Sequence, residues 1–204
     1  QTVLNESLNT GAIFAMESLG KEKFKSYIIN YGFNEKTGVD LPGEVKGKTD
    51  NLETMRDIEF ATASFGQGIA VSPIEFTVAF SSLTNGGEII KPYLVERIVK
   101  SRPVYAESNG NKAAAGEETA FVSYPQVKNK VIKNETSDTM NAMLAKVVDE
   151  ALLEGTVKME HYSMGAKTGT AQKIKSDGRG YSEDYFHTFV GYLPAFDPQF
   201  LIFL

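Results

Sequence analysis

The sequence predicts an α+β fold, with helices in the first part of the chain and an antiparallel sheet assembled mainly from the last part. Apolar residues at helical spacing recur in several segments before residue 155. After it, two strand-like segments, 163–175 and 185–193, flank a loop rich in turn residues, and the apolar segment 199–204 follows. The chain has 204 residues, 42% of them hydrophobic, which suits one domain with a sizeable core.

Four helices are predicted from apolar spacing and from capping signals. The sharpest boundary is Ser72-Pro73-Ile74-Glu75, which offers a capping serine, a proline in the first turn and a glutamate at the capping-box position. A glycine follows each of the four predicted helices within two residues and marks its end. The predicted helices cover residues 10–19, 22–31, about 72–84 and about 137–153.

The remaining segments are predicted to be strand or loop. Residues 89–99 are rich in β-branched and aromatic side chains, and Pro92 within them indicates an edge strand or a bend. The small and polar segment 101–119 is expected to form an exposed, mobile loop. Residues 199–204 should add a third strand beside the hairpin formed by the two segments before them.

Composition and charge exclude several classes of function. A net charge of −5, spread along the chain, argues against a nucleic-acid-binding surface. The absence of cysteine excludes disulfides, thiolate metal sites and a cysteine nucleophile. The two histidines, His161 and His187, lack the spacing of metal ligands, and the glycine-rich segments lack residues that nucleotide-binding loops require. We therefore expect neither a metal nor a cofactor.

The strongest candidate for a functional motif is Lys167-Thr168-Gly169-Thr170-Ala171. On a strand beside an active site, Lys167 would set a positive potential, while Thr168 and Thr170 would offer hydroxyl donors to a substrate carboxylate. Gly169 would let the substrate approach the backbone closely. An ordinary amphipathic strand is the alternative interpretation of this segment.

A second candidate, Ser7-Leu8-Asn9, lies just before the first predicted helix. Serine and asparagine at a helix start are ordinarily caps, and the motif taken alone favours that interpretation. In combination with the first candidate it favours catalysis. A Lys-Thr-Gly strand, a Ser-x-Asn loop and a Ser-x-x-Lys helix together form the catalytic set of penicillin-binding proteins and class A β-lactamases.

On these motifs the sequence resembles the transpeptidase domain of class B penicillin-binding proteins, which cross-link the cell wall. The resemblance runs through nearly the whole chain in the family's order, apart from residues 101–133. It implies the penicillin-binding and serine β-lactamase-like transpeptidase fold, an antiparallel sheet with helices packed around it. Other segments that look like the family's are residues 31–33, 37–44, 65–69 with 72–73, 84–87 with 91–92, 154–156 and 189–194.

The resemblance implies a role for each matching residue. Ser7 would relay a proton between the base lysine and the leaving amine, and Asn9 would hydrogen-bond an amide of the substrate. Lys167 would tune that relay through its charge, while Thr168 and Thr170 would hold the terminal carboxylate. The backbone N–H of Thr170 would be one donor of the oxyanion hole.

One departure from the family pattern concerns the nucleophile. The family's Ser-x-x-Lys motif precedes Ser-x-Asn by several tens of residues, whereas here Ser-x-Asn begins at Ser7. The single match in this chain, Ser18-Leu19-Gly20-Lys21, follows Ser-x-Asn and contains a helix-ending glycine, so we expect it not to be the catalytic pair. We expect residues 1–204 to be the C-terminal portion of one transpeptidase domain, incomplete at both ends, without a nucleophile and inactive alone.

The resemblance also implies partners and a location. These are peptidoglycan stem peptides as substrates, β-lactam antibiotics as ligands, divisome or elongasome proteins as partners, and a place outside a cell membrane that the parent protein spans once. Two alternatives are open. The chain could belong to a D,D-carboxypeptidase or a class D-like β-lactamase, or it could be a non-catalytic interaction module, although the two intact motifs weigh against the latter.

Overall fold

The computed structural model describes residues 1–101, 117–175, 178 and 180–204. Most of the loop predicted over residues 101–119 lies outside these described residues. The two ends of that segment are strand, since residue 101 closes one strand and residues 117–119 open the next. The loop prediction was therefore wrong at its ends.

The four predicted helices are all present, and the first two begin and end within one residue of the predicted bounds. The third ends at Ser81, and the fourth begins at Asn134 and passes after Lys146 into π-helical and 3-10 turns. Two short helices and a 3-10 turn escaped prediction. The structure has α1 at Thr2–Asn5, α2 at Asn9–Leu19, α3 at Lys21–Asn30, α4 at Asp57–Ala63, α5 at Pro73–Ser81 and α6 at Asn134–Lys146, with 3-10 turns at Asp50–Thr54 and Leu152–Gly155 and a π-helical turn at Val147–Ala151.

The predicted capping box begins α5. The Ser72 hydroxyl accepts a hydrogen bond from the N–H of Glu75 at 3.3 Å, and the Glu75 carboxylate accepts one from the N–H of Ser72 at 2.7 Å. The other carboxylate oxygen of buried Glu75 accepts the N–H of Gly47 at 2.8 Å. Glu75 therefore also holds the loop before α4 to the start of α5.

The described strands form three antiparallel sheets. Two have two strands each, pairing β1 with β4 and β2 with β3, and the third has the order β5-β6-β7. The hairpin and the third strand predicted from the end of the sequence are confirmed by this last sheet. The strands are β1 at Glu88–Lys91, β2 at Arg97–Ser101, β3 at Glu117–Val122, β4 at Gln126–Lys130, β5 at Gly165–Ile174, β6 at Tyr181–Leu193 and β7 at Phe200–Phe203.

The single strand predicted over residues 89–99 was wrong, because the segment divides into β1 and β2 in different sheets. Pro92 has no N–H to give to a ladder, which suits the point where pairing stops. Beyond it, the carboxylate of Asp40 accepts the N–H groups of Leu94 and Val95 at 2.7 and 2.9 Å. These bonds hold the connection away from a continuous strand.

Two apolar clusters hold the described elements together. The first joins α2 and α4 around Phe60, which is fully buried, with Met16, Leu52 and Ala63. The second packs α6 against the β5-β6-β7 sheet around Tyr192, with Leu144, Ala145 and Ala195. No helix in the described part of the chain is long and apolar enough to cross a membrane.

The buried Tyr192 hydroxyl donates to the Asn141 side-chain oxygen at 2.8 Å, and burial raises the pKa of this phenol. We expect Tyr192→Phe to lower the free energy of unfolding by about 1–3 kcal/mol, because it leaves the Asn141 oxygen buried without its donor. Urea denaturation should measure the loss. Tyr124→Phe, at an exposed position, is the matched control and should change stability little. Equal stability of the two variants would contradict the role of this bond.

The loop held by Asp40 should be sensitive to acid. The N–H groups of Val95 and Leu94 lower the pKa of Asp40. A carboxyl whose pKa is lowered by folding stabilises the protein above its unfolded pKa, about 3.9, and loses that contribution as pH falls through the lowered value. Stability measured by urea denaturation should therefore fall less between pH 7 and about pH 3 in Asp40→Asn than in the wild type. Asp197→Asn is the control, and an unchanged acid dependence in Asp40→Asn would contradict the prediction.

Candidate active site

The structure brings the two sequence motifs together. The ammonium group of Lys167 donates a hydrogen bond to the hydroxyl of Ser7, which is 160 residues away in the chain. Ser7 lies in the turn between α1 and α2, and Lys167 lies near the start of β5. The predicted Ser-x-Asn and Lys-Thr-Gly-Thr motifs therefore face one site.

The interpretation of Ser7 and Asn9 as a helix cap was wrong. The capping position of α2 is Leu8, and no side chain makes a capping hydrogen bond there. Ser7 has a φ of 50°, in the left-handed region that non-glycine residues rarely adopt. Such a conformation costs free energy and is concentrated at functional sites. The turn thus directs the Ser7 hydroxyl to Lys167 instead of to the helix.

The ammonium group of Lys167 is partly withdrawn from water. It donates to the backbone carbonyl of Thr168 at 2.9 Å as well as to Ser7. Burial lowers the pKa of Lys167, because desolvation disfavours the charged form. A lysine in this state can hold positive charge beside a substrate and can give up a proton more readily than a surface lysine.

The strand β5 lies at one edge of its sheet, and the register shows which backbone groups point outward. Phe189 on β6 exchanges both backbone hydrogen bonds with Leu204, at 2.9 and 3.1 Å, on the side away from β5. Thr168, which faces Phe189, is therefore in a non-hydrogen-bonded pair, and its own N–H and C=O point to the open edge. Two residues further on, Thr170 has the same orientation. An extended peptide could pair with these groups.

Gly169 has a structural role that the sequence interpretation missed. It faces Thr188 on β6, and a side chain at this position would place its Cβ 2.6 Å from the Thr188 hydroxyl. That distance is shorter than real Cβ contacts, so a side chain at this position would require the Thr188 hydroxyl to move.

Sequence reasoning also missed His187. It pairs with Thr170 across β5 and β6, and its Nδ1 lies 3.3 Å from the Thr170 hydroxyl. The only available signal was its position on the second strand of the predicted hairpin.

The described residues contain no cluster of three or more His, Cys, Asp or Glu side chains that could hold a metal ion.

A cavity of about 390 Å³ lies beside Thr170 and extends the site towards the helices. Asn9 borders it from the start of α2, so the second residue of the Ser-x-Asn motif faces the same space as the end of the strand motif. The walls are polar and aromatic, and are formed by Asn9, Thr62, Phe65, Gln67, Thr170, Gln172, Tyr181 and Tyr185.

The single Ser-x-x-Lys match, at Ser18 and Lys21, does not belong to this site. The Ser18 hydroxyl donates to the carbonyl of Phe14 at 2.8 Å within α2, and lies about 14 Å along the helix from Asn9. The Lys21 ammonium donates to Met55 and Asp57 at 2.8 and 2.7 Å. These two residues are not paired with each other, as a nucleophile and its base would be.

The whole chain, residues 1–204, matches the family model described as the penicillin-binding protein transpeptidase domain. The chain belongs to the penicillin-binding protein transpeptidase family. Relatives of this transpeptidase domain include stage V sporulation protein D of Bacillus subtilis, 37% identical over 202 residues and 99% of the chain. The FtsI homolog of Mesostigma viride, a peptidoglycan D,D-transpeptidase by name, is 29% identical over 211 residues and 98% of the chain.

Solved structures of the family have the same fold. Penicillin-binding protein 3 of Mycobacterium tuberculosis, in complex with aztreonam, superposes with a TM-score of 0.79 at 25% identity, over 98% of this transpeptidase chain and 43% of that one. The transpeptidase domain of Burkholderia pseudomallei penicillin-binding protein 3 gives a TM-score of 0.76 at 24% identity, over 98% and 54% of the two chains. The predicted family and fold are thereby confirmed.

The transpeptidase chain covers only part of its relatives. It spans 29% of the length of the sporulation protein and 34% of the Mesostigma viride protein.

The lowered pKa of Lys167 can be tested directly. We expect the dimethylated Lys167 side chain, followed by carbon-13 NMR, to titrate below the ordinary lysine value of about 10.4, because burial disfavours its charged form. Loss of one signal in Lys167→Arg assigns the resonance. Titration of that signal at the ordinary value would contradict the burial described above.

Proposed function

We propose that this chain is part of a peptidoglycan D,D-transpeptidase that cross-links stem peptides through a serine acyl-enzyme and reacts with β-lactams. The observation that carries the proposal is the hydrogen bond between Lys167 and Ser7 beside the open edge of β5. This arrangement joins a proton-transferring pair to a surface on which an extended peptide can lie. The family membership and the β-lactam complex of a related protein support it.

The reaction that we propose has two steps. A serine hydroxyl attacks the carbonyl between the two terminal D-alanines of a stem peptide, its proton is taken by a base, and D-alanine leaves with a proton on its amine. The amine of a neighbouring stem peptide then attacks the acyl-enzyme, forms the cross-link and frees the serine.

Each site residue has a role in this proposal. Ser7 passes the proton to the leaving amine, and Lys167 tunes this relay through its charge. Asn9, which borders the adjoining cavity, hydrogen-bonds an amide of the stem peptide. Thr168 and Thr170 hold the terminal carboxylate with their hydroxyl groups. The outward N–H of Thr170 donates to the oxyanion, an interaction whose loss typically costs about 10²–10³ in rate.

The nucleophile and its base lysine would come from a Ser-x-x-Lys motif in the parent protein upstream of Gln1. The contacts of Ser18 within α2 and of Lys21 with Asp57 support this, because they leave the only Ser-x-x-Lys match in the chain engaged elsewhere. We infer that residues 1–204 alone are inactive.

Two other functions are distinguishable by their products. A D,D-carboxypeptidase would release free D-alanine and a class D-like β-lactamase would release hydrolysed drug, whereas a transpeptidase makes a cross-linked dimer. A non-catalytic interaction module would make none of these. Such a module has no chemical need for a lysine that donates a hydrogen bond to Ser7 beside an open strand edge.

The location and further partners are proposed by analogy with the family. We propose that the parent is anchored by a single span in the cell membrane, with this domain on the outer face, and works with divisome or elongasome proteins. Fractionation of cells producing the parent protein, followed by protease treatment of intact spheroplasts, tests the location.

Acylation by a fluorescent penicillin tests the chemistry. We expect the full-length parent to be labelled, and Lys167→Ala to reduce the rate about 10²-fold or more, because the proton relay is lost. Thr170→Val should reduce it about 10- to 100-fold through loss of a hydrogen bond to a carboxylate. Lys173→Ala is the matched control, since that lysine lies over the ring of Phe186, and it should react like the wild type.

The isolated 204-residue chain should not be labelled. Labelling of that chain at Ser18 would overturn the assignment of the motifs, and absence of labelling in the full-length parent would overturn the proposed function. If the Lys167→Ala variant were acylated at the wild-type rate, the assignment of Lys167 to the active site would be contradicted.

A further inference from the structure

The Thr170 hydroxyl, which the proposed function assigns to the substrate carboxylate, already has a neighbour. His187 faces Thr170 in the register of β5 and β6, and residues opposite each other in a sheet share a face. The distance from the Thr170 oxygen to Nδ1 of His187 is 3.3 Å, and both side chains are exposed. The imidazole therefore lies where it can set the direction of this hydroxyl.

The His187 ring is held in place by a second aromatic residue. Tyr185, two residues earlier on the same face of β6, stacks on it with ring centroids 6.4 Å apart and an angle of 27° between the planes. Tyr185 and Thr170 both border the cavity next to the site. The imidazole therefore contacts two residues that border this cavity.

The charged side chains that flank this imidazole lie on its own sheet and not on the cavity walls opposite. The cavity walls from the helices and adjoining loops, residues 9, 62, 65 and 67, carry no charged side chain. The titratable and charged residues nearest along the strands that flank it are Lys167 and Lys173 on β5, and Tyr181, Glu183, Asp184 and Tyr185 on β6. The Lys173 ammonium lies over the ring of Phe186, 4.7 Å from its centroid.

The direction of the hydrogen bond depends on the state of the imidazole. An unprotonated Nδ1 accepts the hydrogen of Thr170, which turns that donor away from a carboxylate. In the imidazolium both ring nitrogens donate, so Nδ1 donates to the Thr170 oxygen and leaves the threonine hydrogen free for the carboxylate. Histidine is the side chain whose charge ordinarily changes between about pH 5 and pH 8.

We propose that His187 is a positioning residue that selects acyl donors with a free terminal carboxylate, and that its protonation strengthens their capture through Thr170. The inference rests on the proposed function, because it assigns the carboxylate to Thr170. It adds a residue outside the sequence motifs and a pH dependence in the choice of substrate.

The test uses the full-length parent protein and two probes, the thioglycolic acid thioester of benzoyl-D-alanine and its methyl ester. For the acid, the ratio of wild-type to His187→Asn acylation efficiency should rise about 3- to 10-fold from about pH 8 to about pH 5.5. His187→Asn should keep a pH-independent part of the activity, because its amide can donate to Thr170 without titrating. His187→Leu has neither donor nor charge, so its acylation efficiency with the acid should lack the wild-type rise from about pH 8 to about pH 5.5.

The methyl ester and a second histidine are the controls. The ester has no charge for the site to select. The ratio of wild-type to His187→Asn acylation efficiency should therefore stay constant for the ester over the same pH range. His161→Asn, in an exposed segment that borders a different cavity, should follow the wild type with both probes. Because His187 is exposed, thermal melting of its variants should match the wild type.

Each outcome bears on one proposal. A wild-type protein that reacts with neither probe overturns the proposed function. A wild-type protein that reacts, with a flat ratio for the acid or an equal rise for the ester, overturns the role of His187 and leaves the proposed function standing.

Discussion

The hydrogen bond between Lys167 and Ser7 joins two parts of the molecule that have separate cores. Ser7 precedes α2, which packs around Phe60, whereas Lys167 lies on the sheet that packs on α6 around Tyr192. Neither Ser7 nor Lys167 is buried in either core, so their positions depend on how these cores are held relative to each other. A substitution that shifts one core by an ångström can separate the pair without touching the site, since hydrogen bonds weaken quickly with distance and angle.

The parts of the fold that were predictable are those with local causes. The capping box at Ser72 and Glu75 and the hairpin of β5 and β6 depend on neighbouring residues, and both are present. The division of residues 89–99 has a distant cause. The carboxylate of Asp40 binds backbone N–H groups more than fifty residues away in the chain. Such a contact leaves no periodicity in the segment that it bends, so the pattern of apolar residues predicted one strand.

The candidate site also has parts that could be predicted from the sequence and parts that could not. The motifs at Ser7 and Lys167 were recognisable because they match a known chemical set, but the left-handed backbone of Ser7 has no signal in its own sequence. His187 could not be assigned to Thr170 without the register of the hairpin, which has an irregularity between Gln172 and Ile174. A slip of one residue would have turned the imidazole to the opposite face. Register is a property of the folded sheet, and here it determines which side chains share the site.

The open edge of β5 also has a consequence for solubility. A strand at the edge of a sheet is a template on which a second copy of the same chain can add, and natural sheets discourage this with charged residues on the edge, lysine above all. Lys167 brings a positive charge to the outer strand, and in an edge-to-edge dimer about a twofold axis near it two such charges would meet. Lys167, to which the proposed function assigns a part in the reaction, therefore also opposes self-association along this edge.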